Sequence, residues 1–310
     1  MAILTLVPVT KKIIWGGEKL SKDFGIGAPG ESVAEAWQLA CRPDGDNVIS
    51  GGEYDGKLFS EYIREHPESV GTACKLDRFP LLIKLIDAKA DLSIQVHPDD
   101  AYAAEHTDDY GKTEMWYIVD AEPGAKLVYG MKEKYSRDQI KSAIADGTLE
   151  ALMNYVPVHK DEVYFIPSGL VHAIGAGILI AEIQQNSNIT YRVYDYNRRQ
   201  PDGSLRQLHV EQALDVIERT DPGSVKSCGN GDVIASCRYF TVRALNVRGS
   251  AKLAVGDESF AHLMCLEGEG SVCGGGTAVK IKKGGSVFVA AGTGDVTINA
   301  ENAKIIVSSI

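Results

Sequence analysis

The sequence predicts a mainly β protein, a sandwich or barrel in two parts. Three observations predict it. Thirty-two glycines punctuate the 310 residues and break them into many short apolar runs. Several of those runs have the length and residue types of strands. From about Tyr239 the texture changes: apolar runs shorten and turn glycines crowd in at Gly268, Gly270, Gly274, Gly275, Gly276, Gly284, Gly285, Gly292 and Gly294.

In chain order, strands are expected at 80–87, 92–97, 114–120, 125–129, 162–166, 178–185 and 190–196. Helices are expected at 57–66, 136–146 and 209–218, where apolar residues recur at helical spacing. In the second of these, Ser136 is placed to cap the start and Gly147 to stop the end. Beyond Tyr239, residues 279–281, 286–289 and 296–298 read as strands between glycine turns. The polar, glycine-bearing stretch 221–232 is the expected boundary, giving domains at 1–225 and 226–310. Residues 161–167 and 285–291 share a turn, apolar strand, turn pattern, a weak internal repeat.

Composition excludes several classes. Forty-two acidic against 32 basic side chains give a net charge of −10, with no basic block, so no nucleic acid is expected. A few local cations still suffice to attract a small anionic substrate. No apolar run approaches the roughly 20 residues of a membrane span, and the first twelve residues are too weakly apolar for a signal peptide. Six cysteines (Cys41, Cys74, Cys228, Cys237, Cys265, Cys273) are scattered without a CxxC pair. That usage predicts reduced thiols and a cytoplasmic protein. Oligomeric state is not readable.

The run Leu92-Ser93-Ile94-Gln95-Val96-His97 alternates. As a strand it sends Leu92, Ile94 and Val96 into a core and Ser93, Gln95 and His97 to the other face. A buried polar row costs free energy unless a metal or polar ligand satisfies it. Glu114, flanked by Lys112 and Trp116 on its own face, and His172, after the Pro167-Ser168-Gly169 turn, complete a candidate ligand set. Two imidazoles, a carboxylate and an amide oxygen match zinc best, with other divalent ions open. Glutamine makes Gln95 the weakest member.

Lys84 interrupts the otherwise apolar run 81–86. A lysine there snorkels to water from a strand edge, or faces an anionic substrate, or transfers protons. Glu182 and Gln184 share one face of an apolar strand. Arg192 follows between Thr190 and Tyr194, placed to clamp an anion, to stabilise an oxyanion, or to pair with a structural carboxylate.

Taken together, these segments resemble the type I mannose-6-phosphate isomerases (phosphomannose isomerases) in their short bacterial form. The resemblance runs from Ile14-Trp15-Gly16-Gly17 through Glu35-Ala36-Trp37, FPLLIKLIDA, LSIQVHPDD, GKTEMWYI and IPSGLVHAIGAG to EIQQNSNITYRVYDYNR and Leu208-His209-Val210. It implies a bicupin fold, two jelly-roll or double-stranded β-barrel domains with a small helical insertion. It implies a zinc-dependent aldose–ketose isomerase with one Zn2+ per chain and a sugar phosphate as its partner molecule. Gln95, His97, Glu114 and His172 fall on the metal-ligand positions, and Arg192 on the catalytic arginine. Lys84, Ser93, Lys112 and Glu182 fall on pocket positions for phosphate binding or proton transfer, and Trp15 among the substrate-binding positions. Asn188 stands where the family pattern leads one to expect aspartate. The second β domain has one candidate ligand, His262, so a metal is expected in the first cupin only.

Such a reaction passes through a cis-enediol, with one base reaching the hydrogens of adjacent carbons; Glu182 and Lys84 are both candidates. Two other readings stay open at this point. One is a different metal cupin enzyme of dioxygenase type, and the other is a non-catalytic sugar-phosphate-binding cupin.

Overall fold

Ile94 and Val96 are fully buried, and with Val128, Ala173, Tyr191 and Val193 they form one face of a five-stranded antiparallel sheet. Its strand order is Met153–Pro157, Lys126–Met131, His172–Ile174, Ile94–Val96, Tyr191–Tyr194. Ile140 and Ala143 of helix Arg137–Ala145, and Ala213 and Leu214 of helix Val210–Val216, close over that face. The alternation seen in the sequence is therefore real. The apolar row lies under the helices, while Ser93 and His97, 3% and 1% exposed, point to the other face.

The structure is a computed structural model and describes residues 2–75, 78–200, 202–218 and 232–310. The boundary expected at 221–232 falls, except for Asp232, outside the described residues, as does Cys228. Packing groups the chain into two units. One comprises Ile13–Gly17 and Ile86–Lys226; the other comprises Met1–Lys12, Glu18–Leu85 and Ser227–Ile310.

In the first unit, Val163–Ile166, Glu114–Ala121 and Ile178–Gln185 pair antiparallel in that order. The register sets Ile166 and Gln184 on either side of Glu114, and Tyr164 and Glu182 on either side of Trp116. Residues directly opposite in a sheet share a face, so Glu114, Trp116, Glu182 and Gln184 form one buried polar-aromatic row. Helix Arg137–Ala145 begins as expected: Ser136 Oγ accepts from Gln139 N–H at 3.2 Å, and Gln139 Oε1 accepts from Ser136 N–H at 2.8 Å. Gly147 follows at φ +69°. Helix Asp100–His106 was not anticipated. Its signal was present in Asp99, whose carboxylate accepts from Tyr102 N–H at 2.9 Å as a cap.

The second unit carries a nine-stranded sheet. Ile3–Val7 pairs with Ser286–Val289, with Ile3 opposite Val289. Its apolar core includes Leu263, Cys265, Val287, Val289, Ile298 and Ile305. Short strands were expected beyond Tyr239, and here the structure corrects the sequence reading. Thr241–Val255 and Gly294–Ser309 are 15 and 16 residues long and pair along nearly their whole lengths. One side of this ribbon is solvated, so polar residues interrupt each apolar run without ending the strand. A register shift between Val247 and Gly249, with Gly249 at φ +84°, bends it. The five described cysteines are free thiols.

Candidate active site

His97, Glu114 and His172 offer ligand atoms that all lie within 4.8 Å of one another, and all three side chains are buried. They come from three different strands or strand ends of one packing unit. Three backbone hydrogen bonds bring them together. Lys112 N–H donates to Pro98 O at 2.9 Å, returning the Lys112–Thr113–Glu114 segment to His97. Gly169, at φ +83°, makes the turn before His172, and its N–H donates to His97 O at 2.9 Å. Gln185 N–H donates to Thr113 O at 3.1 Å, while Gln185 Oε1 accepts from Thr113 N–H at 2.8 Å, fixing the approach to Glu114.

The two imidazoles are oriented from behind. His97 Nδ1 lies 2.7 Å from Ile189 O, and His172 Nδ1 lies 2.8 Å from Leu170 O. A carbonyl oxygen only accepts, so Nδ1 of each ring carries the proton and each Nε2 presents a lone pair. Those Nε2 atoms are 3.1 Å apart; His172 Nε2 is 3.5 Å from Glu114 Oε1 and His97 Nε2 is 3.9 Å from Glu114 Oε2. Burial pushes His172 down to about 4, and the Lys112 charge adds to this against the Leu170 carbonyl, so the ring is neutral at neutral pH. Two lone pairs and a carboxylate gathered out of water repel one another unless a cation joins them. Donors at zinc-ligand distance in a tetrahedron stand roughly 3.3 Å apart. The observed separations of 3.1, 3.5 and 3.9 Å bracket that value, so with small side-chain adjustments the residues present fit a divalent cation. Gln95 sits at the edge of the group, its Nε2 3.5 Å from His172 Nε2. The Lys112 ammonium is 2.7 Å from Glu114 Oε2 and 3.2 Å from His97 Nε2.

Arg192 is half-buried. Its Nε donates to Ser93 Oγ at 3.1 Å and its guanidinium donates to Gln207 O at 2.9 Å. Burial, then the neighbouring Arg206, pushes it down from its ordinary value. A pair with a structural carboxylate is one sequence reading for Arg192, but the nearby Asp195 takes Arg206 as its bidentate partner. Asp195 accepts from Arg206 Nε at 2.7 Å and also from Arg198 and the Arg206 terminal nitrogen. Burial alone would raise Asp195, but these hydrogen bonds outweigh it and hold the carboxyl below its usual range. Tyr196 and Asn197 follow at φ +56° and +52°, and Arg198 N–H closes the turn on Asp195 O at 3.0 Å. Nothing in the sequence announced this turn, because its left-handed positions carry no glycine.

Glu182 is 3% exposed, and its Oε2 accepts from Trp116 Nε1–H at 3.0 Å. Lys84, in strand Leu81–Ala88, is 4% exposed, so it does not snorkel to solvent. Its Nζ lies 3.9 Å from Glu35 Oε2 and 5.6 Å from the centre of the Trp37 ring. Trp15 is buried and its carbonyl accepts from Ala90 N–H at 3.1 Å. Its neighbour Gly17 leaves no room for a Cβ, which would run into the Asp87 carboxylate. Sequence reasoning missed the Ile189 and Leu170 carbonyls that set the histidine tautomers, since any residue type supplies a carbonyl. His262 lies elsewhere: its Nε2 is 2.8 Å from Ser286 Oγ, which in turn donates to Gln38 O at 2.6 Å.

A mainly β, cupin-type fold with a buried His–Glu–His group that could hold a metal ion sets the class of protein. Residues 3–138 match the family model of the type I phosphomannose isomerase catalytic domain, and residues 232–310 match that of the mannose-6-phosphate isomerase cupin domain. The mannose-6-phosphate isomerase of Streptococcus mutans serotype c is 38% identical over 281 residues, covering 88% of this chain and 87% of that protein. Mannose-6-phosphate isomerase ManA of Bacillus subtilis is 37% identical over 311 residues, covering 98% and 97%. The crystal structure of the mannose 6-phosphate isomerase from Bacillus subtilis superposes with a TM-score of 0.89 at 35% identity, covering 100% of both chains. The chain belongs to the type I phosphomannose isomerase family and is, on that relationship, an isomerase.

Proposed function

We propose that this chain interconverts mannose 6-phosphate and fructose 6-phosphate through a cis-enediol, using one zinc ion held by His97, Glu114 and His172 with Gln95 beside them. The observation that carries the proposal is the convergence of two imidazoles and a carboxylate on one buried point, in a chain whose relatives bear that enzyme's name. When bound, the cation supplies Lewis acidity toward the sugar oxygens at C1 and C2.

The chain's own residues do the rest. Glu182 takes the proton from C2, whose electron pair becomes the C1–C2 double bond as O1 is protonated. The same carboxyl returns the proton to C1 while O2 loses its own, leaving the ketose. Lys84 is the competing base. Arg192, aimed by Ser93 and the Gln207 carbonyl, stabilises the negative charge that develops on oxygen. Lys112 relays protons beside the donor group. Ser93, Lys84 and Trp15 hold the phosphorylated substrate, whose remote binding energy orients the reacting end.

The catalytic work belongs to residues 1–225, and residues 226–310 form a cupin-like part without a metal. Free thiols at the five described cysteines agree with a reducing, cytoplasmic setting. The deciding experiment is turnover of mannose 6-phosphate in a coupled assay before chelation, after it, and after zinc is restored. Loss and recovery of turnover in step with bound metal supports the proposal; turnover indifferent to metal content refutes it.

A further inference from the structure

Trp116 stands between the two halves of the site and belongs to neither. Its indole is 1% exposed. The ring meets His172 edge-on, with centroids 5.3 Å apart and an interplanar angle of 79°. Its single polar group, Nε1–H, donates to Glu182 Oε2 at 3.0 Å. Strand register enforces the arrangement, because Trp116 and Glu182 are directly opposite in adjacent strands, one residue pair along from Glu114 and Gln184 on the same face.

We infer that Trp116 is a positioning residue, and that its indole N–H sets the orientation in which the Glu182 carboxylate is presented for proton transfer. The inference rests on the reading of Glu182 as the base. A carboxylate on a flexible two-carbon stem has several orientations, and a base for two adjacent carbons needs one of them. Tying Oε2 to the ring nitrogen restricts the carboxylate to one such orientation. The same ring packs against His172, a member of the donor group, so one rigid side chain fixes the separation between base and donors. An indole does this with few rotamers, and burial makes its N–H bond to a carboxyl oxygen strong. Tyrosine or histidine would place a donor elsewhere; phenylalanine would keep a ring and lose the tie.

Two measurements test it. The first needs no turnover. The chain has three tryptophans, Trp15, Trp37 and Trp116, and so three indole N–H signals in a proton–nitrogen correlation spectrum. Trp116→Phe assigns the Trp116 signal by its loss. In Glu182→Gln that signal is expected to move while the Trp15 and Trp37 signals stay; an unmoved signal overturns the inference. The second is kinetic. Trp116→Phe is expected to lower kcat about tenfold or more, with KM within about threefold and metal per chain unchanged, as for a misaligned base. In a Glu182→Gln background the same change is expected to alter kcat by less than about twofold, since the group it orients is gone. An equal loss in both backgrounds, or a loss tracking metal content, overturns the inference. Failure of the base reading shows separately: Glu182→Gln alone then keeps its kcat instead of losing about a hundredfold or more.

Discussion

His97 and His172 face each other with their Nε2 atoms 3.1 Å apart, each ring turned by a backbone carbonyl behind it. The carbonyls of Ile189 and Leu170 act as orienting partners, choosing the tautomer before any ligand arrives.

His172→Ala is expected to lower metal affinity by a hundredfold or more, since it removes a ligand where loss of an outer partner alone costs about 10–100-fold. Chelator competition followed by elemental analysis measures it. The parent protein is expected to gain about 2.7 kcal/mol of stability at a metal concentration of a hundred times Kd, and the variant nearly none. Equal thermal shifts in the two would rule out His172 as a ligand.

Arg192→Ala is expected to lower kcat by about a hundredfold, the scale of one oxyanion donor, with bound metal retained. Arg192→Lys is expected to recover little, because an ammonium cannot serve Ser93 and Gln207 with one planar fork. Steady-state kinetics on both variants, with metal content measured in parallel, gives the answer; full kcat in either removes the role.

Asp195→Asn is expected to destabilise the protein by about 2 kcal/mol, less than the roughly 3–5 kcal/mol of a fully buried pair because Arg198 and Arg206 are partly exposed. It also loosens the segment that carries the Gln207 carbonyl, so kcat/KM is expected to fall by about tenfold. Denaturant unfolding and kinetics report the two effects. A stability loss with unchanged kcat/KM would confine Asp195 to a structural role.

Acid sensitivity is expected to pass through His262. Burial pushes it down to about 3 from an ordinary 6.5, so the unfolded chain binds its proton first. The stability this histidine contributes is therefore full above pH 6.5 and is lost as pH falls from 6.5 toward 3. The slope is about 1.4 kcal/mol per pH unit inside that window. In His262→Leu the parent-minus-variant difference in unfolding free energy should shrink by that amount per unit between pH 6 and 4. Parallel curves would show that His262 does not carry the acid response.

The alternating run 92–97 made the two faces of one strand legible, and the residue types at His97, Glu114 and His172 made the donor group legible before any coordinates. Period-two alternation is a local signal, and a ligating side chain has few other reasons to be buried. Three things were not legible. The length of Thr241–Val255 was hidden because a half-solvated ribbon has no continuous apolar run. The turn at Tyr196 and Asn197 was hidden because it lacks the glycine that signals a left-handed backbone. The Trp116–Glu182 bond depends on register between distant segments, which pattern within each segment does not determine. Reading along a chain also yields contiguous domains by construction, whereas packing places Met1–Lys12 with Ser227–Ile310.

That last grouping has a cost in time. Ile3–Val7 lies between Val48–Ser50 and Ser286–Val289 in its sheet, so the second of its two hydrogen-bonding neighbours is made much later than the first. At common synthesis rates of about 5–20 residues per second, the early strand waits roughly 15 to 55 seconds with an open edge. Nascent chains halted before Ser286 cannot complete that pairing, and until then that edge is a template other chains can pair with.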